Sequence, residues 1–552
     1  MGEKILIIGG VAAGATAAAR ARRLSESAEI TLLERGPYVS YANCGLPYFI
    51  GGDIAQREAL LLQTPEGFDR RYKVSVHLHT EAVELDLAGR KVRAVGPQGE
   101  RWEPYDKLIL AQGGQPIWPG LPGGDGDHVF KLWTVPDMDR IDTFIRERKP
   151  QTAVVVGGGF IGLEMAEALA QRGLQVAVVE LAPTVMSVLD PEFGRRVAGE
   201  LQDHGVRVET GVGVSAVGKG DVQLSDGRTL PAELVLFSVG VKPDLDLARR
   251  AGLVIGPAGG LQVNEFLETS QPGVYAAGDM VEVLHRIGGK AVRMPLAGPA
   301  NRQGRLAATN ALGGRQAYRG ALGTSVVKVF EATAASTGLS EKAARLAGLE
   351  VGVALIHKDH HAGYYPGAKM LNLQLVYERP SGRLLGATAF GHAGVEKRID
   401  VLATALAGGM TVHDLAELDL AYAPPYSSAN DPVNMGGFVA ENDLSGFSPL
   451  VTGAQLLADL RGPTPPLVVD VRNPGECAHG MLQGAINIPL DDLRQRLGEL
   501  PKDRRIAVYC KAGFRGHLAL RILREHGFAD VVNIAGGHMS LHLVPGTVFV
   551  AP

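Results

Sequence analysis

Two of the three cysteines in this 552-residue chain stand in surroundings suited to thiol chemistry, and Cys44 is the first of them. It lies in the stretch Ser40 to Tyr48, about ten residues after a predicted strand, and Pro47 suits the first turn of a helix that follows the thiol. A helix N-terminus lowers the pKa of a nearby thiol and favours the nucleophilic thiolate. The alternative is a small buried hydrophobic residue, which is the commoner role of an isolated cysteine.

The second reactive cysteine is Cys510, which follows a predicted strand from Ile506 to Tyr509. The loop after it ends at Gly516, and we predict a helix from near His517. Such a loop surrounds the sulfur with backbone amides, which suit a thiolate, a persulfide or an oxyanion. Only four residues separate Cys510 from Arg515. Phosphate-cleaving enzymes with a similar cysteine loop have one residue more in the loop, and the shorter loop fits sulfur. The spacing therefore favours sulfane-sulfur transfer over phosphatase chemistry. We predict that the third cysteine, Cys477, is structural.

The chain begins with the signature of a dinucleotide-binding unit. A strand from Lys4 to Ile8 leads into a glycine loop and an Ala-rich helix to about Leu24, and Val11 stands where the usual fingerprint has its middle glycine. The backbone amides and the helix dipole of such a turn bind a pyrophosphate. Glu34 ends the next strand, where a ribose hydroxyl needs a carboxylate acceptor. The candidate cofactor contacts here are Gly9, Gly10, Ala13, Gly14 and Glu34.

A second unit of the same kind follows from Ala153, with all three fingerprint glycines present. Its candidate contacts are Gly157, Gly159, Gly162 and Glu180. Two such units predict two dinucleotides. Because a carboxylate at Glu180 would accept from a ribose 2′-hydroxyl and repel a 2′-phosphate, we expect NADH rather than NADPH.

Three further strands run into glycine, which brings the backbone close to a flat ligand. They end at Gly113, Gly240 and Gly278, and Asp279 after the last could hold a ribityl hydroxyl. Each alone could be an ordinary strand end. Their order implies that an FAD-binding domain is interrupted by a nicotinamide-binding domain and resumes after it.

The remainder of the chain changes character from about Ala321. Alternating strands with a helix near Glu396 predict an α+β domain with an antiparallel sheet, and Glu441 to Pro449 is polar enough to be a linker. Tyr364 and Tyr422 each lie in a Gly- or Pro-rich stretch, where tyrosines commonly pack turns.

Composition excludes several classes of protein. The net charge of −4 gives no reason to expect nucleic acid or an anionic membrane as a partner, and three cysteines argue for a reducing cytoplasmic location. The apolar run from Ile5 to Ala19 resembles a signal peptide, but its glycines fall at cofactor-loop positions. No run reaches the roughly 18 apolar residues that span a membrane.

Taken together, these residues resemble the flavin-dependent pyridine nucleotide-disulfide oxidoreductases, in particular the coenzyme A-disulfide reductases that carry a fused rhodanese domain. The most specific stretches are Ser40 to Tyr48, Tyr422 to Asn434 and the Cys510 loop. The resemblance implies a homodimer that holds FAD, takes hydride from NAD(P)H and uses one cysteine in mixed disulfide with coenzyme A. It implies an FAD-binding domain at residues 1–115 and 245–320, an NAD(P)H-binding domain at 116–244, a dimerisation domain at 321–445 and a rhodanese domain at 446–552.

The same resemblance supplies further candidate residues. Those matching the family's coenzyme A contacts are Thr16, Arg20, Arg23, Ser40, Asn43 and, by a looser match, Lys73. Arginines suit the 3′-phosphate, although Arg22 beside them leaves open a solvated basic face. Tyr364 and Tyr422 match a pair that in the family reaches across the dimer and can protonate a departing thiolate.

Alternatives to this mechanism follow from single positions. A glutathione-reductase-like enzyme would need a second cysteine where this chain has Phe49, so Cys44 must pair with an external sulfur or cycle through sulfenate. Oxidases and peroxidases that use a sulfenate carry a His at the position of Ala12, and its absence here argues against peroxide reduction. Two departures from rhodaneses, Leu541 for a frequent Trp and Cys477 for a frequent aromatic, do not touch the Cys510 loop. An alternative of another class is a carboxyl-terminal binding or redox-sensing module without turnover, with Cys44 reporting the redox state of coenzyme A. We expect NADH-dependent reduction of coenzyme A disulfide, persulfide or polysulfide, with Cys510 carrying a sulfane sulfur.

Overall fold

The structure is a computed structural model that describes residues 2–551. The chain divides into two compact units. The first runs to Val185 and resumes at Leu201–Gly323, and the second comprises Met186–Glu200 and the chain from Thr324 onward. Within residues 2–551 no helix is both long and apolar enough to cross a membrane.

The first unit contains a five-stranded parallel sheet built around the amino-terminal strand. In spatial order its strands are Val274–Ala276, Lys107–Leu110, Lys4–Ile8, Glu29–Leu33 and Val74–His77. Ile7 lies between Leu32 and Ile109 across the sheet, and all three side chains are fully buried. Leu6, the preceding residue of the same strand, points to the opposite face and is also buried, so both faces are covered, as a parallel sheet requires. The helices and short helical turns around it are Ala12–Leu24, Asn43–Gly45, Leu46–Gly51, Arg57–Leu60, Pro65–Tyr72, Asp246–Arg250 and Ala297–Ala311.

A second five-stranded parallel sheet in the same unit repeats this arrangement. Its strands, in spatial order, are Arg207–Thr210, Gln175–Glu180, Thr152–Val156, Leu234–Phe237 and Val129–Phe130, with helices Val135–Arg148 and Phe160–Gln171. The strand Val274–Ala276 lies beyond all of these in the chain, yet it belongs to the first sheet. The last strand of the first sheet thus follows the whole of the second sheet in the chain.

Short strands complete the first unit, and they pair antiparallel except for Leu261–Gln262 with Val281–Leu284, which is parallel. They are Glu81–Asp86, Lys91–Gly96 and Gly99–Pro104; Val214–Val217, Asp221–Leu224 and Thr229–Pro231; Gly114–Pro116 with Val241–Pro243; and Leu261–Gln262, Val281–Leu284 and Ala291–Arg293.

In the second unit, the predicted antiparallel α+β region is confirmed. Its five strands, in spatial order, are Ser325–Val329, Ala332–Gly338, Leu384–Gly391, Met370–Glu378 and Val351–Asp359, with helices Glu341–Leu346, Val395–Gly408, Val412–Glu417 and Pro432–Leu444. The helix Pro191–Asp203 begins in the second unit, and its last residues belong to the first. Sequence analysis missed Ala332–Gly338 and Leu384–Gly391 because Ala and Gly have low strand propensity.

The predicted linker from Glu441 to Pro449 is wrong over its first half. The helix Pro432–Leu444 continues through Glu441, and Asp443 is buried. The Asp443 carboxylate accepts hydrogen bonds from the Tyr377 hydroxyl, the Arg379 guanidinium and the Leu450 amide. A polar side chain that looked solvent-facing in the sequence is thus an internal acceptor.

The carboxyl-terminal region is a separate α/β layer with a parallel sheet. In spatial order its strands are Leu450–Val451, Val531–Ile534, Ile506–Tyr509, Leu467–Asp470 and Ile486–Asn487, with the pair Met481–Leu482 and Phe549–Val550 and helices Gly453–Leu460, Pro474–Cys477, Leu497–Glu499, Phe514–Glu525 and His538–Leu541. The helix after the Cys510 loop begins at Phe514, three residues earlier than predicted. The fold class predicted from the sequence is confirmed.

Candidate active site

The first glycine loop forms a tight cradle in which the backbone can approach a ligand. Gly9 has a φ of +99°, and a Cβ added to Gly14 would lie 1.8 Å from the Gly9 carbonyl oxygen. The helix Ala12–Leu24 begins at Val11 without a side-chain cap, which leaves its first amides open to a phosphate. The Glu34 carboxylate accepts from the amides of Gly10 at 2.8 Å and Gly36 at 2.7 Å. Ala13 is buried in the first turn of the helix.

The second glycine loop has the same geometry. Gly157 has a φ of +109°, and a Cβ on Gly162 would lie 2.0 Å from its carbonyl oxygen. Glu180 accepts from the amides of Gly158 and Ala182, each at 2.7 Å. A Cβ on Gly159 would meet no atom within 4 Å, so this glycine leaves space beside an uncapped helix start. Both cradles fit a dinucleotide pyrophosphate.

The other predicted cofactor contacts lie at strand ends in the first unit. Gly113, Gly240 and Gly278 all have positive φ values, of +69°, +107° and +88°. Burial raises the pKa of Asp279 to about 6. The buried Oε1 of Gln112, beside Gly113, has no hydrogen-bond partner within the described protein. An open acceptor and a poorly hydrated carboxyl at one sheet end fit a polar ligand such as the ribityl chain of FAD.

Cys44 is exposed, but its predicted electrostatic setting is wrong. It lies in a single short helical turn, Asn43–Gly45, that leads into the six-residue helix Leu46–Gly51 with Pro47 in its first turn. Loss of water around the sulfur raises the pKa of the Cys44 thiol, and the carboxylates of Glu164 and Asp279 raise it further. The dipole of so short a helix does not offset these effects.

Glu164 is a candidate site residue that sequence analysis missed. It lies on the helix Phe160–Gln171, and one of its carboxylate oxygens accepts from the Tyr48 hydroxyl at 3.1 Å. Burial, with a contribution from Glu167, raises the pKa of Glu164 to about 7. The sequence feature that could have identified Glu164 is its position two residues after Gly162, on the first turns of the second nucleotide-binding helix.

The predicted basic face of the first helix divides into two parts. Burial and the neighbouring cations Arg305 and Arg23 lower the pKa of Arg20. Arg23 is exposed, whereas Arg22 is only 6% exposed. The interpretation of Arg22 as part of a solvated face is therefore wrong. Its guanidinium donates to the carbonyl oxygens of Ser25, Glu26, Ala28, Tyr72 and Lys73.

The other predicted coenzyme A contacts also lie in the first unit. The Thr16 hydroxyl donates to Asn301 at 2.6 Å, and Ser40 adopts a φ of +50° with its amide bonded to the Gly10 carbonyl. The Asn43 side-chain oxygen lies 3.7 Å from the Cys44 sulfur. Lys73 is exposed at the end of the helix Pro65–Tyr72, where its own carbonyl accepts from Arg22.

The two predicted tyrosines meet, although 57 residues separate them in the chain. The Tyr364 and Tyr422 hydroxyl oxygens are 3.1 Å apart, and the residues are 77% and 47% exposed. Their hydrogen bond raises the pKa of Tyr364. Neither side chain is buried in its turn, since Tyr364 is largely exposed and Tyr422 about half exposed.

Cys510 lies at the base of its loop and is buried. The Gly513 amide points at its sulfur from 3.1 Å, as expected for a ring of amides. The segment behind the loop runs so close that a Cβ on Gly537 would lie 2.4 Å from the Cys510 carbonyl oxygen. Phe514, at the loop rim, is 66% exposed.

Arg515 is held beside this loop by Glu476. Two 2.7 Å bonds join the guanidinium to the carboxylate, and they lower the pKa of Glu476 to about 2. Sequence analysis did not identify Glu476 as the partner. Cys477 is buried, with its pKa raised to about 11 by loss of water and by Asp470, which agrees with a structural role.

Comparison with known proteins accounts for most of the chain. A pyridine nucleotide-disulphide oxidoreductase model matches residues 3–304, the dimerisation domain of that family matches 324–432, and a rhodanese-like domain matches 453–542. The chain belongs to the pyridine nucleotide-disulphide oxidoreductase family.

Named relatives narrow the comparison within this family. A coenzyme A disulfide reductase of Staphylococcus haemolyticus is 34% identical over 443 residues, which cover 80% of this chain and 100% of the relative. The crystal structure of reduced Bacillus anthracis CoADR-RHD superposes with a TM-score of 0.96 at 42% identity and covers 98% of each chain. An NAD-dependent persulfide reductase from A. fulgidus gives a TM-score of 0.91 at 37% identity and covers 97% of this chain and 99% of that one.

Membership of the pyridine nucleotide-disulphide oxidoreductases explains the doubled cradle. Members of such a family bring a flavin and a nicotinamide cofactor into one chain, and each cradle here has the first and last fingerprint glycines and a strand-end acid.

Proposed function

We propose that this chain is an FAD-dependent NAD(P)H:coenzyme A-disulfide reductase that also acts on coenzyme A persulfide or polysulfide. We further propose that it works as a cytoplasmic homodimer, divided into the domains predicted above, with a fused sulfurtransferase domain. The observation that carries the proposal is the setting of Cys44: it is exposed, and Cys477 and Cys510, the other free cysteines, are both buried. Phe49 occupies the position where a second redox cysteine would stand.

The proposed role of Cys44 follows from this isolation. Its thiolate attacks one sulfur of the coenzyme A disulfide, forms a Cys44–coenzyme A mixed disulfide and releases the other half as a thiolate. Tyr364 and Tyr422 can give that thiolate a proton, because their joined hydroxyls are exposed. Bound FAD would supply the two electrons, taken from the nicotinamide, that later reduce the mixed disulfide.

Binding of the substrate is assigned to the first unit. Arg20 and Arg23 suit the phosphates of coenzyme A, and Thr16, Ser40, Asn43 and Lys73 are the remaining proposed contacts. For the reductant we propose NADH, since the Glu180 carboxylate at the second cradle would repel a 2′-phosphate.

The carboxyl-terminal domain is proposed to move sulfane sulfur. Cys510 would carry the sulfur as a persulfide, with the Gly513 amide and the fixed Arg515 guanidinium stabilising negative charge at the loop. Lys511 and Phe514 stand at the loop mouth and would meet the donor or acceptor.

One set of assays tests both activities. We expect steady NADH consumption with coenzyme A disulfide and none with glutathione disulfide. Cys44→Ser should abolish this consumption, and turnover near the parent rate would refute the assignment. Cys510→Ser should keep the reduction and lose sulfur transfer from thiosulfate or persulfide. Oxygen-dependent NADH oxidation at an equal rate without disulfide would favour an oxidase that cycles Cys44 through sulfenate.

A further inference from the structure

Arg398 is a charged side chain in the interior of the second unit. It lies on the helix Val395–Gly408 and is only 1% exposed, which makes it one of the largest fully buried side chains. Its ion pair with Asp431, at 2.8 Å, is buried on both sides. Such a pair gains little net stability, because desolvation of the two charges offsets their attraction. The contacts of the guanidinium therefore indicate a role other than stability.

The guanidinium joins two loops that are distant in the chain. Its Nη2 donates to the His360 carbonyl at 2.6 Å, to Asp431 at 2.8 Å and to the Ser427 hydroxyl at 3.4 Å. The Ser427 hydroxyl itself donates to Asp431 at 2.6 Å. A backbone bond of 3.0 Å from the Ala362 amide to the Ser427 carbonyl runs beside this cluster.

These two loops carry the tyrosine pair. His360 and Ala362 precede Tyr364 by four and two residues, and Ser427 follows Tyr422 by five. Both side chains are exposed, so the hydroxyl–hydroxyl bond between them is a surface contact. A surface contact of this kind contributes little energy by itself. The buried cluster that joins the same two loops is the stronger constraint on how the loops are aligned.

We propose that Arg398, together with Ser427, is a positioning residue that holds Tyr364 and Tyr422 within hydrogen-bond reach of each other. This inference rests on the proposed function of the pair. One phenol transfers its O–H proton to the released coenzyme A thiolate, which becomes a thiol, and the phenol becomes a phenolate. The second phenol donates its hydrogen bond to that phenolate, and solvent later returns the proton. Loss of alignment would leave the phenolate without this donor.

The test compares two disturbances of the cluster with the loss of the phenols. Arg398→Lys keeps the charge but offers a single nitrogen, which cannot hold the His360 carbonyl and the Asp431 carboxylate in the same fork geometry. Ser427→Ala removes one hydroxyl and serves if the first variant is unstable to heat. Glu396→Gln, an exposed position on the same helix, is the control. Asp431 is left intact because it also caps the helix Pro432–Leu444.

Two readouts decide the matter. For coenzyme A disulfide, kcat should fall about tenfold in either variant with little change in KM, as expected when general-acid catalysis is weakened. In a Tyr364→Phe/Tyr422→Phe background, Arg398→Lys and Ser427→Ala should lower kcat no further. An equal fall of kcat in that background would overturn the inference. Ultraviolet difference titration should show that the raised pKa of Tyr364 falls in both variants.

The titration also separates this inference from the proposed function. If the double Phe variant keeps the parent kcat, the acid role of the pair fails, while a lowered tyrosine pKa in Arg398→Lys would still support positioning. An unchanged tyrosine titration in both Arg398→Lys and Ser427→Ala would refute positioning whatever the activities show.

Discussion

Arg22 and Arg23 are adjacent on the first helix, yet their replacement should affect different properties. Arg22→Met keeps the aliphatic volume and removes a guanidinium that donates to five carbonyl oxygens over 2.6 to 2.9 Å. Of these bonds, the one to Ala28 is buried and the other four are partly buried. Arg23→Met removes an exposed charge from the proposed coenzyme A face.

The expected loss of stability in Arg22→Met follows from these contacts. A hydrogen bond to a charged group contributes about 1.5 to 3 kcal/mol, and a buried carbonyl left unsatisfied costs about 1 to 3 kcal/mol. The four partly buried carbonyls can regain water, so each should cost well under 1 kcal/mol. We therefore expect Arg22→Met to destabilise the local structure by about 4 kcal/mol. Arg23→Met should change stability by less than about 0.5 kcal/mol.

Native-state hydrogen exchange measures this loss of local stability peptide by peptide. Peptides that contain Ala28 and Lys73 should exchange about a thousandfold faster in Arg22→Met, up to the limit set by global opening. Titration with coenzyme A disulfide should give an affinity within about twofold of the parent for Arg22→Met, and about tenfold weaker for Arg23→Met. Arg22→Met with unchanged exchange and weakened binding would refute this division of roles.

Two other side chains give predictions tied to pH. Glu164→Gln removes a charge that raises the pKa of Cys44, so the midpoint of Cys44 alkylation with iodoacetamide should move to lower pH; a midpoint that stays or rises would contradict the assignment. Burial and Arg196 lower the pKa of His357 to about 3 from 6.5, which makes its neutral form the folded one. Stability from this group is complete above pH 6.5 and is lost as pH falls toward 3, because the unfolded chain takes up the proton. The urea midpoint of the second unit should fall over this range in the parent and less in His357→Gln, and equal slopes would contradict the prediction.

The nucleotide cradles could be predicted in detail because their requirements are local. Gly9, Gly14, Gly157 and Gly162 are needed where a Cβ would meet the backbone, and the acids follow at fixed spacing. Backbone geometry and short-range sequence therefore specify the same positions.

Residues that tune the reactive groups were harder to predict because they come from distant parts of the chain. Glu164 lies 120 residues after Cys44, and Arg398 lies between Tyr364 and Tyr422 in the sequence without a motif of its own. Arg22 and Arg23 have the same chemistry, and only the packing of the segment around Tyr72 buries one of them. Such assignments need tertiary contacts that a single sequence does not contain.

The pKa of the Cys44 thiol depends on carboxylates that the fold brings to it from distant parts of the chain. A thiol beside Glu164 and Asp279 does not ionise readily while both carboxyls carry charge, and their pKa values of about 7 and 6 are already raised. Groups this close titrate as a set, so the ionisation of one favours proton uptake by another. When Cys44 becomes a thiolate near neutral pH, Glu164 is the neighbour best placed in pKa to hold a proton at that moment. Cys44 reactivity should thus depend on the protonation of Glu164 more than on the helix that follows it.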